Sequence, residues 1–282
     1  CHELVGSMSQ GAAGNPTVAM VEAAFQQQGL NWRYMNMEVT PEDLEAAVQG
    51  ALAMGFRGFN LSMPHKVAVI PLLSGLGESA ALIGAVNCVV RREGQFIGEN
   101  TDGKGFLASL QSVMDPQGKQ VVLFGAGGAA RAVAVELALA GVRKIIIVNR
   151  DAARGAELVE TLRSKTRVEA ELVAWQGDYQ VPAGTDAVIN GTSIGLYDAE
   201  ARLALDLETL KPGMVVADVV FNPPRTRLLA EAEARGCVIL DGLGMLVNQG
   251  VICVRHWTGR EPEAAEMRRA LKQAMGLSSN QP

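Results

Sequence analysis

Val121-Val122-Leu123-Phe124 is an uninterrupted apolar run that passes directly into Gly125-Ala126-Gly127-Gly128-Ala129-Ala130 and then into an alanine-rich stretch ending at Ala140. A strand apolar on both faces belongs inside a parallel sheet, and consecutive parallel strands need a crossover, here a helix. The spacing therefore predicts a βα unit with a tight glycine turn between strand and helix. Runs of the same kind recur at Lys144 to Val148, Asp186 to Ile189 and Met214 to Val220. They imply an α/β fold whose middle section is a doubly wound parallel sheet.

The first hundred residues alternate in the same sense. Glu3 to Gly6 reads as a short strand, Thr17 to Leu30 as a helix stopped at Gly29, and Arg33 to Val39 as an alternating strand. Thr40-Pro41-Glu42-Asp43 combines a capping residue with proline and early acids, which predicts a helix from Pro41 to about Met54. Gly58 to Ser62 is a further strand, leading into the loop that carries Lys66. With 282 residues, 48% of them hydrophobic, the chain can fill two cores, and the first boundary is placed between Thr101 and Lys104. Residues from Gln249 onward fit either half, and Ser278 to Pro282 is expected to be a frayed tail.

Charge and composition narrow the partners. A net charge of -5 spread over mixed signs gives no footprint for nucleic acid or for an anionic membrane, so the expected partner is a small molecule. No apolar run approaches a membrane span. Cys1, Cys88, Cys237 and Cys253 lack the close pairing of zinc sites, and His2, His65 and His256 form no ligand cluster, so no metal is expected. Free thiols without an apolar leader predict a reducing compartment, the cytoplasm.

The glycine turn has a chemical reading beside its packing one. Gly125 permits the turn, Gly127 lets backbone approach a pyrophosphate, and Gly128 and Ala129 open a helix whose free N–H groups face the anion; Ala126 lies between, and Ala130 takes the third glycine place. The bland alternative is that the glycines only allow close strand–helix packing. Where an NAD site has an acid at the end of the second strand, this chain has Asn149-Arg150, with Arg154 a helical turn later. Guanidiniums there favour the 2'-phosphate of NADP, while Asp151 between them keeps NAD open. Both arginines are otherwise ordinary exposed residues at a helix start.

Hydride transfer to a carbonyl also needs a proton donor, and Lys66 with Asp102 supplies an ammonium and a carboxylate. Alone, Lys66 would read as a surface charge and Asp102 as a turn former before Gly103. Their surroundings differ from that. Phe59-Asn60-Leu61-Ser62-Met63-Pro64-His65-Lys66, Ile83-Gly84-Ala85-Val86-Asn87, Gly98-Glu99-Asn100-Thr101-Asp102-Gly103, the glycine turn, Asn149-Arg150 and Asp241 to Gly250 occur in one order, and through them the chain resembles the shikimate dehydrogenase family.

The resemblance implies a substrate domain over residues 1–103 completed by 249–282, and a Rossmann-type NADP domain over 104–248. The substrate domain is expected to hold a mainly parallel sheet. It implies reversible NADP-dependent interconversion of shikimate and 3-dehydroshikimate, a step toward aromatic amino acids, with Lys66 and Asp102 as the catalytic pair. Asn87, Asp102 and Gln249 fall on contacts to ring hydroxyls, and Ser62 stands where the family usually has a threonine. Thr192 and Gly242 complete the expected cofactor set. Two departures mark a divergent subfamily. Asn15 and Thr17 occupy the places of the serine pair that binds the substrate carboxylate, while Ser7-Met8-Ser9 imitates that pair too close to Gly6. Phe221 replaces the usual tyrosine. A quinate or aminoshikimate-type dehydrogenase using NAD or NADP and, from another class, a non-catalytic NADP-binding sensor are the alternatives; a monomer or homodimer is expected.

Overall fold

The computed structural model describes residues 3–277, so that Cys1, His2 and the tail over Ser278 to Pro282 lie outside the described residues. The chain forms two compact units, one built from both chain ends, up to Thr101 and again from Val247, the other from Asp102 to Leu246.

The first unit runs β1 (Glu3–Ser9), α1 (Thr17–Gln27), β2 (Trp32–Glu38), α2 (Leu44–Ala53), β3 (Gly58–Leu61), α3 (His65–Ala68), β4 (Gly75–Leu76), α4 (Glu78–Ile83), β5 (Cys88–Arg92) and β6 (Gln95–Glu99). Its sheet has the order β2-β1-β3-β5-β6-β4. β1 pairs in parallel with β2 and β3, and β4 with β6, whereas β5 is antiparallel to both β3 and β6. That reversal brings the carboxyl ends of β1, β3 and β6 and the start of β5 to one edge of the sheet. Ser62, Asn87 and Thr101 follow or precede those strand ends, so chain direction alone delivers them to the same place. Met8, Phe56, Phe59, Leu61, Val89 and Phe96 are buried in one cluster, with the Phe59 and Phe96 rings 5.1 Å apart edge to face.

Two elements differ from expectation. β1 continues through Ser7-Met8-Ser9, because the pairing with β2 extends to Glu38 and gives the Ser7 hydroxyl a partner in Asn36. The helix expected at Pro41 starts at Leu44; residues 41–43 form a turn in which the Thr40 hydroxyl bonds the Asp43 carboxylate (3.2 Å) instead of capping backbone N–H groups.

The second unit opens with α5 (Asp102–Gln111) and continues with β7 (Gln120–Phe124), α6 (Gly128–Leu139), β8 (Lys144–Asn149), α7 (Ala152–Lys165), β9 (Glu169–Ala174), β10 (Ala187–Asn190), β11 (Val215–Asp218), α8 (Arg227–Glu233) and β12 (Val238–Leu240). Its strands are all parallel in the order β12-β11-β10-β7-β8-β9, a doubly wound Rossmann arrangement whose order reverses between β7 and β10. The crevice at such a reversal is where ligands bind. Val122, Phe124, Ile146, Val148, Val188 and Val216 form the buried centre of one face. The chain leaves this unit within α9 (Gly242–Thr258), and α10 (Ala264–Ala274) packs on α1. Among the described residues no helix is long and apolar enough to cross a membrane.

Candidate functional site

At the shared edge of the first sheet, Asn87 is buried and held at both ends of its amide. Its Oδ1 accepts from Thr101 N (2.7 Å) and its Nδ2 donates to Thr101 Oγ1 (2.9 Å). Gln249, on α9, brings Oε1 to 3.4 Å from Thr101 Oγ1 and 3.5 Å from Asn87 Nδ2. Beneath them Asn60 Nδ2 donates to the Asn87 carbonyl (3.0 Å) and to Cys253 Sγ (3.2 Å), while Asn60 Oδ1 accepts from the Tyr34 hydroxyl (2.9 Å). Buried amides in such a chain are held in one orientation, because an unpaired polar group there costs about 1–3 kcal/mol. Burial pushes the Tyr34 hydroxyl and the Cys88 thiol up, so both stay neutral. Asn60, Tyr34, Thr101 and Cys253 are members that sequence reasoning missed; the available signal was an asparagine between Phe59 and Leu61 in an apolar strand.

Ser62 lies exposed just beyond β3, and the Ser62 carbonyl accepts from His65 N (2.9 Å) as the chain turns into α3. Lys66 follows there, half-buried, and its carbonyl accepts from Val86 N (2.8 Å), which ties the lysine's backbone to the residue before Asn87. Asn15 and Thr17 sit at the start of α1: Asn15 Oδ1 accepts from Thr17 N (3.0 Å).

Asp102, in the second unit, is the first residue of α5 and not a loop residue. Gly103 is required there by packing, since a Cβ would lie 2.3 Å from the Ala132 carbonyl oxygen of α6. Lys104 pairs with the nearly buried Glu136 at 2.8 Å and fixes α5 against α6. The Asp-Gly pair is thus a helix start pressed onto a neighbouring helix.

A groove of about 430 Å³ opens at the strand-order reversal, lined by Gly125 to Ala129, Asn149, Gly191, Thr192 and Phe221 among others. Gly125 has φ 102°, and Gly191 lets the two strand ends close: its Cβ would lie 2.9 Å from Ala130 Cβ and from the Phe124 oxygen. Gly191 thereby supplies the space that a third turn glycine would have given in place of Ala130. Thr192 is fixed by Asn190, whose Oδ1 accepts from its N (3.1 Å) and Oγ1 (2.7 Å). Gly242 abuts the Val220 carbonyl, leaving no room for a side chain.

The ends of β8 and β9 bring Arg150 and Trp175 together. Arg150 lies over the Trp175 ring, its Cζ 4.8 Å from the centroid, so an aromatic face orients the guanidinium. Asp151 caps α7 by accepting from Arg154 N (3.1 Å), and Asn149 Nδ2 donates to the Asp151 carbonyl (2.7 Å). A carboxylate engaged as a helix cap has less capacity for a ribose hydroxyl, while Arg150 and Arg154 remain exposed beside it. The set fits a dinucleotide with a phosphate on its ribose.

Comparison with known proteins agrees. The family profile described as "Shikimate dehydrogenase substrate binding domain" matches residues 15–89, "Shikimate / quinate 5-dehydrogenase" matches 108–194, and "Shikimate 5'-dehydrogenase C-terminal domain" matches 242–272. A relative from Moorella thermoacetica named Shikimate dehydrogenase (NADP(+)) is 43% identical, covering 93% of this chain and 90% of its own. The chain belongs to the shikimate dehydrogenase family. Among solved members of similar fold, the ligand-free 5-ketofructose reductase of Gluconobacter sp. strain CHM43 is 55% identical with a TM-score of 0.95, over 97% of this chain and 99% of that one. The Listeria monocytogenes shikimate 5-dehydrogenase, in complex with shikimate and NAD, is 34% identical with a TM-score of 0.90 over 96% of each chain. Within this family frame the first unit offers neutral hydrogen-bonding groups and one lysine, and the second a dinucleotide groove.

Proposed function

We propose that this family member is an NADP-dependent oxidoreductase that interconverts a secondary alcohol and a ketone on a small polyhydroxylated substrate, shikimate and 3-dehydroshikimate being the pair that the curated relatives' name supplies. The observation that carries the proposal is the buried Asn87–Thr101–Gln249 cluster at the sheet edge to which the Lys66 segment is tied. Amide and hydroxyl groups both donate and accept, as ring hydroxyls demand.

In this reading Asn87 and Gln249 hold ring hydroxyls, Ser62, Asn15 and Thr17 are further substrate contacts of the first unit, and Phe221 is a substrate contact supplied by the second. Lys66 gives a proton to the carbonyl oxygen in reduction and takes it back in oxidation, and Asp102 orients substrate and ammonium. When bound, the nicotinamide supplies or accepts the hydride. Gly125 to Ala129, Thr192 and Gly242 would hold the cofactor's pyrophosphate and nicotinamide half, and Asn149, Arg150 and Arg154 its adenosine phosphate.

Initial rates at the reduced-nicotinamide band test this, using shikimate and quinate with NADP and with NAD. Lys66→Ala should lower turnover about 10²-fold or more if it transfers the proton. Turnover within a few-fold of wild type would remove Lys66 from the mechanism. Faster NAD than NADP reduction would give Asp151 the ribose instead.

A second substrate reading is favoured by two specific observations. The 5-ketofructose reductase shares 55% of its residues with this chain, more than the 43% of the Moorella enzyme, and Asn15 and Thr17 replace the serine pair expected for a carboxylate. In that reading Lys66 would give a proton to the oxygen of one 5-ketofructose carbonyl, and a bound NADPH would supply the hydride to its carbon. NADPH oxidation with 5-ketofructose against 3-dehydroshikimate decides between them.

A further inference from the structure

We propose that the rim formed by Ser7, Asn15, Thr17 and Asn36 selects a neutral polyhydroxylated ketone over a ring carboxylate, with Asn36 as the specificity-determining residue; the inference rests on the preceding reading for the location of the substrate site. Ser7 and Asn36 face each other in the parallel register of β1 and β2. The Ser7 hydroxyl donates to Asn36 Oδ1 (3.1 Å), Asn36 Nδ2 donates to the Asn15 carbonyl (3.2 Å), and Asn15 Nδ2 reaches back to Ser7 Oγ at 3.4 Å. Asn15 Oδ1 is meanwhile held by Thr17 N. Ser7, Asn36 and Asn15 close a ring of hydrogen bonds to which Thr17 is attached through its backbone N–H, and every partner is neutral.

A carboxylate accepts and cannot donate, so it needs donors that are free to turn toward it, or a cation. Serine hydroxyls rotate and can supply such donors. Here the Asn15 amide is fixed by its oxygen, its nitrogen is partly engaged, and the Ser7 proton is committed to Asn36. What the rim leaves is one N–H on each of the Asn15 and Asn36 amides and the Thr17 hydroxyl. The two amides are fixed in orientation by their partners and the hydroxyl both donates and accepts, which suits separate substrate hydroxyls better than the paired oxygens of one carboxylate. A second observation points the same way. Glu38, two residues past Asn36 in β2, accepts from Gly11 N and Ala12 N at 2.8 Å each, and these bonds hold its carboxyl below the usual range, so the loop leading to Asn15 is pinned by an anion. Water screens that exposed charge, so the hydrogen-bond pattern sets most of the preference and Glu38 adds to it.

The test is a calorimetric titration of the full chain saturated with NADP⁺, using 5-ketofructose as the neutral probe and 3-dehydroshikimate as the acid. Both are ketones and neither can be reduced by the oxidised cofactor, so binding is read without turnover. Wild type should bind 5-ketofructose at least about 10-fold more tightly, and the Asn15→Ser/Thr17→Ser double variant should move that ratio toward the acid by about 10-fold or more, the size of effect that a lost or gained polar partner produces. Asn36→Ala, which frees the Ser7 proton and the Asn15 carbonyl, should narrow the ratio in the same direction while the melting temperature stays close to wild type; Thr17→Ser alone serves if Asn36→Ala fails to fold. Equal or tighter binding of the acid by wild type, binding of neither probe, or a ratio unmoved within two-fold in the variants overturns the proposal. Tight binding of 5-ketofructose without NADPH oxidation would instead overturn the catalytic reading and leave the selectivity standing.

Discussion

Gly103→Ala is the most direct test of how the second unit positions Asp102. The added Cβ would sit 2.3 Å from the Ala132 oxygen and 2.7 Å from its carbon, whereas ordinary contact begins near 3.4 Å, so α5 must move from α6 by roughly 1 Å. The obstacle is helix backbone, which cannot turn aside as a flexible side chain could. Alanine gains about 1 kcal/mol of helix propensity over glycine, but overpacking of this kind costs about 1–3 kcal/mol. The same movement stretches the 2.8 Å Lys104–Glu136 pair, whose carboxylate is almost buried and becomes costly without its partner. A net loss of about 2 kcal/mol should lower the melting temperature by roughly 4–8 °C. Asp102 lies one residue from the displaced carbon, and a catalytic group misplaced by about 1 Å can lose about 10²-fold in turnover. Thermal melts and kcat measured side by side are the assay. Gly50→Ala is the control: its Cβ would meet only a Met54 methyl at 3.9 Å, so it should stabilise α2 by about 0.5–1 kcal/mol. A Gly103→Ala chain that melts at or above wild type with full turnover would refute the packing account of the Asp-Gly pair.

Other expectations concern charge and hydrogen bonding. Arg150→Ala should raise KM for NADPH by about 10-fold or more while leaving KM for NADH nearly unchanged, because a phosphate contact is lost that NADH never makes; Trp175→Leu should show a weaker version of the same split. Burial pushes Asp218 up to about 6, despite bonds from Val220 N, Thr226 Oγ1 and Asn190 Nδ2. The folded chain therefore holds this proton more tightly than the unfolded one, so stability falls as pH rises from about 4 to about 6 and is flat above, by up to about 3 kcal/mol. Asp218→Asn should flatten that slope in denaturant titrations across pH 4–7, and an unchanged slope would assign it to other groups. Tyr34→Phe leaves Asn60 Oδ1 without its donor and should cost about 1–3 kcal/mol, with KM moved more than kcat; a neutral effect on both would show that Asn60 is oriented by Asn87 and Cys253 alone.

The glycine turn, the apolar strands β7, β8 and β10 and the Asn149-Arg150 pair were legible because each is a local pattern: hydrophobic runs of fixed period, or a residue type at a strand end. What escaped is long-range. Cys253 meets Asn60 across 193 residues of sequence and Trp175 meets Arg150 from the next strand, and neither pairing leaves a local trace. β9 and β12 are edge strands with exposed positions, so they lack the continuous apolar run that marks their central neighbours. The Thr40-Pro41 cap was misplaced because side-chain partners compete for the same hydroxyl, and only the fold decides which wins. Asp102-Gly103 has the local chemistry of a turn, and a helix 30 residues away made it something else.

The reversal of chain direction at β5 has a practical side. The link between β5 and β6 is the two-residue turn Glu93-Gly94, with φ 50° and 79°, which matches the tight hairpin turn suited to twisted strands. Both residues are exposed, and five residues of strand, about 15 Å, separate them from Asn87 on one side and Thr101 on the other. A reporter peptide or fluorophore spliced in at this tip would sit at the far end of the hairpin from the substrate edge, giving a handle for surface attachment that leaves the chemistry of that edge untouched.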